Sequence, residues 1–300
     1  RTLPILSLDA GLVFEREVGW FGRAAQQTLE PRLFYAYTPY RNQNNLPNFD
    51  SALADLVYAQ LFTENIFSGS DRISNANQLT AALTTRILDD ETGAERLRAA
   101  IAQRYYFTDQ LVTLPGQPQG SDTSTDVLAT LTAQLGRSWA IDLAMQYSAE
   151  EASVVQGTVG TRWQPGRASV LSAYYRYQSN GTSPNSTQST GISQIDLSGQ
   201  WPLTNRWYAV GRFNYSLVDK RVIDAVAGFE YQQDCWLLRF AVQRFATTAQ
   251  NATTNFYLQL ELNGLTSVGT SAANLLQRNI PGYHLLNPVP RSPGRFEFYE

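Results

Sequence analysis

Trp139-Ala140-Ile141-Asp142-Leu143-Ala144-Met145-Gln146-Tyr147 alternates between two kinds of side chain. The odd positions carry Trp, Ile, Leu, Met and Tyr; the even ones carry Ala, Asp, Ala and Gln. Successive side chains of an extended backbone leave on opposite faces, so this stretch reads as a strand with one apolar and one polar face. A helix would scatter the same apolar residues around its axis. The pattern recurs at 79–87, where Leu79, Ala81, Leu83 and Ile87 oppose Thr80, Ala82, Thr84 and Arg86. It recurs again at 255–262, where Phe256, Leu258, Leu260 and Leu262 oppose Asn255, Tyr257, Gln259 and Glu261.

About thirteen such strands can be marked, over 3–15, 26–38, 77–88, 95–107, 126–136, 138–148, 154–163, 168–178, 191–201, 206–218, 221–232, 235–246 and 252–263. Most are about 10–13 residues long, against a mode of ~5–6 in soluble sheets and ~9–11 for a tilted transmembrane strand. A soluble β-sandwich gives the same alternation but shorter strands. Length therefore favours a membrane barrel.

The charges separate the faces. Asp9, Glu30, Arg32, Arg86, Arg98, Arg104, Asp142, Arg162, Arg176, Asp196, Arg212, Asp224, Glu230, Arg239 and Glu261 all fall on the polar register. An Arg facing mid-bilayer lipid costs about 2–4 kcal/mol. The expected arrangement puts the apolar face against lipid and these charges in a polar, water-filled lumen. Aromatics on the apolar face gather near strand ends, at Trp139, Tyr147, Trp163, Trp201, Trp207 and Trp236, as membrane-interface girdles do. Gln103 departs from the rule, on the apolar register between Ile101 and Tyr105.

Short turns (89–94, 136–138, 164–167, 202–205, 232–234) alternate with longer loops (39–76, 108–125, 179–190, 247–251), apart from tight hairpins at 150–153 and 218–220. Outer-membrane barrels keep short turns in the periplasm and long loops outside. That rule makes 39–76 extracellular and the tail after strand 252–263 periplasmic. Loop 39–76 exceeds an ordinary connection. Phe49, Leu53, Leu56, Tyr58, Leu61, Phe62 and Phe67 give it an apolar side, so it is expected to pack on the barrel. The domain reading is a barrel over 1–264 and a tail over 265–300, with helical character at 271–279. An odd strand number cannot close a single-chain bacterial barrel, and open edges are not viable in lipid. The fold class is thus all-β, an antiparallel transmembrane β-barrel of which this chain supplies the C-terminal part.

Composition agrees. Of 300 residues, 16% are charged and 12% aromatic, with a net charge of -3. No run reaches the ~18 apolar residues of a membrane helix. The charge balance carries no nucleic-acid footprint. One cysteine and one histidine leave no material for a zinc cluster, an internal disulfide or a Ser–His hydrolase, and the lone His284 lies in the tail. No catalytic residue, cofactor or metal is expected, so the chain does not read as an enzyme. Asn180, Asn185 and Asn251 fit the glycosylation pattern but read as polar loop tips. The chain opens at Arg1 in a strand-like run without Met, as a mature or truncated piece would.

Several stretches carry a family likeness: Gln27-Thr-Leu-Glu-Pro-Arg32, Asn45-Leu-Pro-Asn-Phe-Asp-Ser-Ala52, Tyr58-Ala-Gln-Leu-Phe62, Phe67-Ser-Gly-Ser-Asp-Arg-Ile73, Asn77-Gln-Leu79, Gln103-Arg-Tyr-Tyr-Phe107, Cys235-Trp236 and Asn279-Ile-Pro-Gly-Tyr283. Together they resemble the lipopolysaccharide-assembly family LptD, in its C-terminal barrel portion. The resemblance implies a barrel of about 26 strands, the upper end of the single-chain range. It also implies an LptE-like lipoprotein plug inside the barrel, an N-terminal periplasmic jellyroll in the same full-length protein, and lipopolysaccharide as cargo delivered to the outer leaflet. Cargo would leave laterally between the first and last strands. The gate strand here would be 252–263, with Phe256, Leu258, Leu260 and Leu262 outward and Asn255, Tyr257, Gln259 and Glu261 inward. The family carries two adjacent cysteines before its penultimate strand that bond N-terminal ones. Here the pair reads Asp234-Cys235, so Cys235 alone would form the interdomain disulfide. The alternative reading is a passive diffusion porin or ligand-gated channel.

Overall fold

Period-two patterning builds long strands. The computed structural model describes residues 2–117, 119–179, 181–183, 186–189, 191–247, 251–262 and 265–287. Its strands are β1 (Leu6–Gly11), β2 (Phe14–Trp20), β3 (Arg23–Thr38), β4 (Ala52–Leu53), β5 (Phe67–Ser68), β6 (Ala76–Asp89), β7 (Glu95–Tyr106), β8 (Val127–Leu135), β9 (Trp139–Ser148) and β10 (Ser153–Gly166). Then follow β11 (Ser169–Gln178), β12 (Gly181–Ser183), β13 (Ser186–Ser189), β14 (Ile192–Pro202), β15 (Trp207–Ser216), β16 (Arg221–Gln232), β17 (Trp236–Ala246), β18 (Ala252–Leu262), β19 (Thr266–Gly269) and a helix, α1 (Ala272–Asn279).

One sheet runs β1-β3-β6-β7-β8-β9-β10-β11-β14-β15-β16-β17-β18-β19, with β2 also on β3. β4–β5 and β12–β13 are separate pairs inside loops. β1 and β2 are two pieces of one strand, because they pair with successive parts of β3 in unbroken register, Gly11 opposite Arg32 and Phe14 opposite Leu29. Pairing lapses opposite Pro31, which has no N–H to give; Leu12 N–H still reaches its carbonyl at 3.1 Å. The first strand thus covers 6–20 rather than 3–15. A two-residue turn at Phe21-Gly22, φ 45° and 78°, replaces the longer connection expected there. Counted this way, thirteen long strands reach from β1 to β18, and β19 adds a short return.

The chain forms two compact units. In the first (Arg1–Gln134, Ile141–Val159, Arg176–Ile192), loop 39–76 packs on one strand face. A 3-10 turn, Tyr58–Phe62, sets fully buried Leu61 against Ala82, Ala102 and Leu128, and Phe62 against Phe34, Ala36 and Ala76. In the second unit (Leu135–Ala140, Gly160–Tyr175, Ser193–Glu300), α1 places Leu276 and Ile280 against Val170, Val210, Val226 and Ala241. These residues lie on the face that carries Glu230 and Arg239, as the register of β16 and β17 shows. The polar register thus also carries apolar cores, one under loop 39–76 and one under α1, and burial of this kind is worth about 1.5–3 kcal/mol per large side chain.

The opposite face keeps its apolar side chains exposed, Phe256 by 69% and Leu258 by 55%. In the second unit an aromatic belt lies along it, with Trp139–Trp163 at 5.8 Å, Trp163–Trp201 at 5.6 Å and Trp207–Tyr231 at 4.7 Å between ring centres. Gln103, the misfit of the pattern, is satisfied locally: it donates to Thr125 O at 2.9 Å and accepts from Tyr105 OH at 2.9 Å. Asn180, Asn185, residues 248–250 of loop 247–251, and the tail from 288 to 300 lie outside the described residues.

Candidate functional site at the last strand

β18 pairs along its whole length with β17, from Trp236 opposite Leu262 to Ala246 opposite Ala252. Its sidedness follows the sequence. Asn255, Tyr257, Gln259 and Glu261 are half-buried, Phe256, Leu258 and Leu260 are exposed, and Leu262 is half-buried at the strand end. The half-buried row is occupied by the chain's own C-terminal segment. Gln259 Oε1 accepts the Ala273 N–H at 2.9 Å and so caps the first turn of α1. Glu261 accepts Asn287 Nδ2 at 3.0 Å. Tyr257 packs against the α1 core and reaches Gln243 at 3.4 Å.

Beside it lies a buried ion cluster. Arg239 is 0% exposed, between Glu230, at 2.9 Å from Nε, and Glu261, at 2.5 Å from Nη1. Glu230, also 0% exposed, accepts Gln200 Nε2 at 2.8 Å and the Tyr283 hydroxyl at 2.5 Å. Gln200 also grips the tail backbone, accepting His284 N–H at 2.9 Å and donating to His284 O at 3.1 Å. Burial, then the neighbouring Glu230 carboxylate, push the Tyr283 phenol above its ordinary range, so it stays a donor. A second cluster centres on Arg212, which bonds Asp196 at 2.9 Å, Asp224 at 3.1 Å and Asn279 Oδ1 at 2.6 Å.

The Asn279–Tyr283 motif is a clasp in which each member has a task. Asn279 holds Arg212, Ile280 fills the core, and the Pro281 carbonyl accepts Ser172 Oγ at 3.3 Å. Gly282 has φ +82°, and a Cβ there would sit 2.9 Å from Arg162 Cδ and 3.1 Å from Val170 Cγ2, so any other residue is strained and crowded. Tyr283 closes on Glu230.

The remaining charges of the polar register behave differently. Arg104 is 2% exposed and anchors the loop, donating to Gln60 O at 2.6 Å and Thr63 O at 3.2 Å. Arg86 pairs Glu30 at 3.1 Å and Glu95 at 3.7 Å, with Arg98 directly opposite across β6 and β7. Asp142 and Arg162 are half-buried, and Arg176 is exposed. The loop motifs lock to one another. Asp71 accepts from the Phe49 and Asp50 N–H groups, Ser51 Oγ accepts from the Asp71 and Arg72 N–H groups, and buried Arg72 donates to Leu46 O at 2.9 Å. Cys235 is exposed in the turn between β16 and β17.

Sequence reasoning missed Gln200, Thr270 and Asn287 as tail contacts, because amide and hydroxyl residues are common throughout. A usable signal existed in Val170, Val210, Val226 and Ala241, which are apolar residues at polar-register positions and need a cover.

The family profile and the sequence relatives point to one family. The family profile "LptD: LPS transport system D" matches residues 1–207. The LPS-assembly protein LptD of Azoarcus sp. (strain BH72) is 46% identical over 287 residues, covering 96% of this chain and 35% of that protein. Its counterpart in Thiobacillus denitrificans is 43% identical over 293 residues, 98% of this chain and 39% of that protein. The Bordetella pertussis protein is 46% identical over 313 residues, 100% of this chain and 40% of that protein. The chain thus spans well under half the length of these relatives. Among solved structures, the FpvAI–pyocin S2 complex covers 86% of this chain and 41% of its own, at 10% identity and a TM-score of 0.36. The ferripyoverdine receptor of the Pseudomonas aeruginosa outer membrane covers 90% and 44%, at 11% identity and a TM-score of 0.33. On the profile match across its first 207 residues, the chain belongs to the LptD family.

Proposed function

We propose that this chain is the C-terminal part of an outer-membrane translocon that inserts lipopolysaccharide into the outer leaflet, with lateral exit beside β18. The protein works in the bacterial outer membrane, and family membership sets the porin and channel readings aside. One observation supports the exit site most. β18 ends the run of long strands, and among the described residues no strand pairs with the far edge of Ala252–Tyr257. In lipid such an edge needs a partner, and a strand of the longer chain is the natural one. The outward row offers Phe256 and Leu258 to acyl chains, while the inward row is polar. An amphiphile with an apolar anchor and polar sugars suits that boundary.

The same reading includes a lipoprotein plug, an N-terminal jellyroll that delivers cargo, and a bridge from Cys235 to that part of the protein. The test uses the full-length protein in cells depleted of their own copy. Cysteines at Leu260 and on the strand that closes the barrel are oxidised to a disulfide. Surface lipopolysaccharide should stop appearing on oxidation and return on reduction. Undiminished export with the seam locked would overturn the exit site.

A further inference from the structure

β18 has two different outer edges. From Ala252 to Tyr257 no described strand pairs there, but from Leu258 to Leu262 the chain covers itself. β19 lies antiparallel on this half, with Leu260 opposite Val268 and Leu262 opposite Thr266. Thr270 finishes the pairing. Its N–H donates to Leu258 O at 2.8 Å, and its hydroxyl accepts the Leu258 N–H at 2.7 Å. Gly269, at φ +109°, lies so close that a Cβ would be 2.2 Å from Leu258 O. Beyond Thr270 the chain leaves the edge for the polar face, where α1 is capped by Gln259. The return is therefore held at both ends, by the β18 edge and by the α1 clasp.

A backbone edge group serves one neighbouring strand at a time. Any strand that closes the barrel against β18 meets β19 at Leu258. It can then pair with only the six residues Ala252–Tyr257, about 20 Å at ~3.4 Å per residue. A bilayer-spanning strand needs ~9–11 residues, so a fully zipped seam requires the return to leave. We propose that β19 and the closing strand exchange on the Leu258–Leu262 edge. With β19 paired, the seam is parted over that half; with β19 displaced, it is zipped. The occupant of the edge is thus a β-strand of this same protein, and the return is the moving part. The inference rests on the exit site proposed above and assigns its mobile element.

The test is a Leu260→Cys/Val268→Cys pair in the full-length protein, in cells depleted of the native copy. Directly opposed residues in antiparallel strands lie within disulfide reach. Oxidation should cross-link the pair and lower the appearance of surface lipopolysaccharide at least tenfold, and reduction should restore it. Each single-cysteine variant should keep one export rate, its own, through the same cycle of oxidation and reduction. A cross-linked protein that exports at the rate of its reduced form overturns the exchange. So does failure of both thiols to cross-link although each can be alkylated, since the return would then not occupy the edge. If the unmodified full-length protein supports no surface lipopolysaccharide, the translocon reading itself fails instead.

Discussion

The Tyr283 hydroxyl donates to Glu230 at 2.5 Å across 53 residues of sequence, and this bond ties the tail to the buried ion cluster. Glu230 and Arg239 are both fully buried. A buried charge left short of a partner costs about 1–3 kcal/mol or more. Tyr283→Phe keeps the ring in the core and removes only the donor. It should lower the urea midpoint at which the folded, fast-migrating form is lost on unheated gels. It should also expose residues around 280 to protease before the strands unfold. An unchanged midpoint with an intact tail would show that Gln200 and Arg239 alone satisfy Glu230.

Arg104 performs the matching task in the other unit. Its guanidinium reaches the carbonyls of Gln60, inside the 3-10 turn carrying Leu61, and of Thr63, which caps that turn. Hydrogen bonds from a charged donor contribute about 1.5–3 kcal/mol. Arg104→Met retains bulk and loses both bonds. The expected result is rapid proteolysis within 39–76 while the strands stay folded. A loop as resistant as the native one would mean that the Leu61–Phe62 packing suffices.

Much of this was legible in the residues. Strand number, strand length and facing all follow from period-two patterning, because lipid on one side penalises each misplaced charge. What the pattern concealed was local cover. Val210 and Val226 look like exceptions on a polar face until Leu276 and Ile280 lie over them. Alternation reports which face a side chain takes, and says nothing of what packs there from a hundred residues away. The first strand was misplaced for a backbone reason: Pro31 breaks the pairing, and Phe21-Gly22 turns tighter than the residues suggest. β18 was visible as a pattern, whereas its covered edge depends on a single glycine and one threonine.

Cys235 stands exposed in the turn between β16 and β17, next to Asp234. The proposed disulfide to the N-terminal part would use this thiol alone, the single cysteine of the chain. In the full-length protein, Cys235→Ser should abolish the oxidised band on non-reducing gels in one step, with no second oxidised species. A persistent oxidised band would assign the bridge to other cysteines.

Gly269 offers a way to move the return without a cross-link. Its φ of +109° is unfavourable for any side chain, and an added methyl would meet Leu258 O at 2.2 Å. Strain of this type costs about 1–3 kcal/mol, and β19 has only four residues. Gly269→Ala should therefore free β19 from β18 while α1 stays docked through Leu276 and Ile280. A cysteine at Leu260 should then cross-link to the closing strand of the longer chain several-fold more readily than in the native background. Hydrogen exchange at Val268 should quicken, and exchange at Leu276 should not. If Leu260 gains no partner once β19 is loosened, the return is only a cover for the edge, and the two strands do not compete.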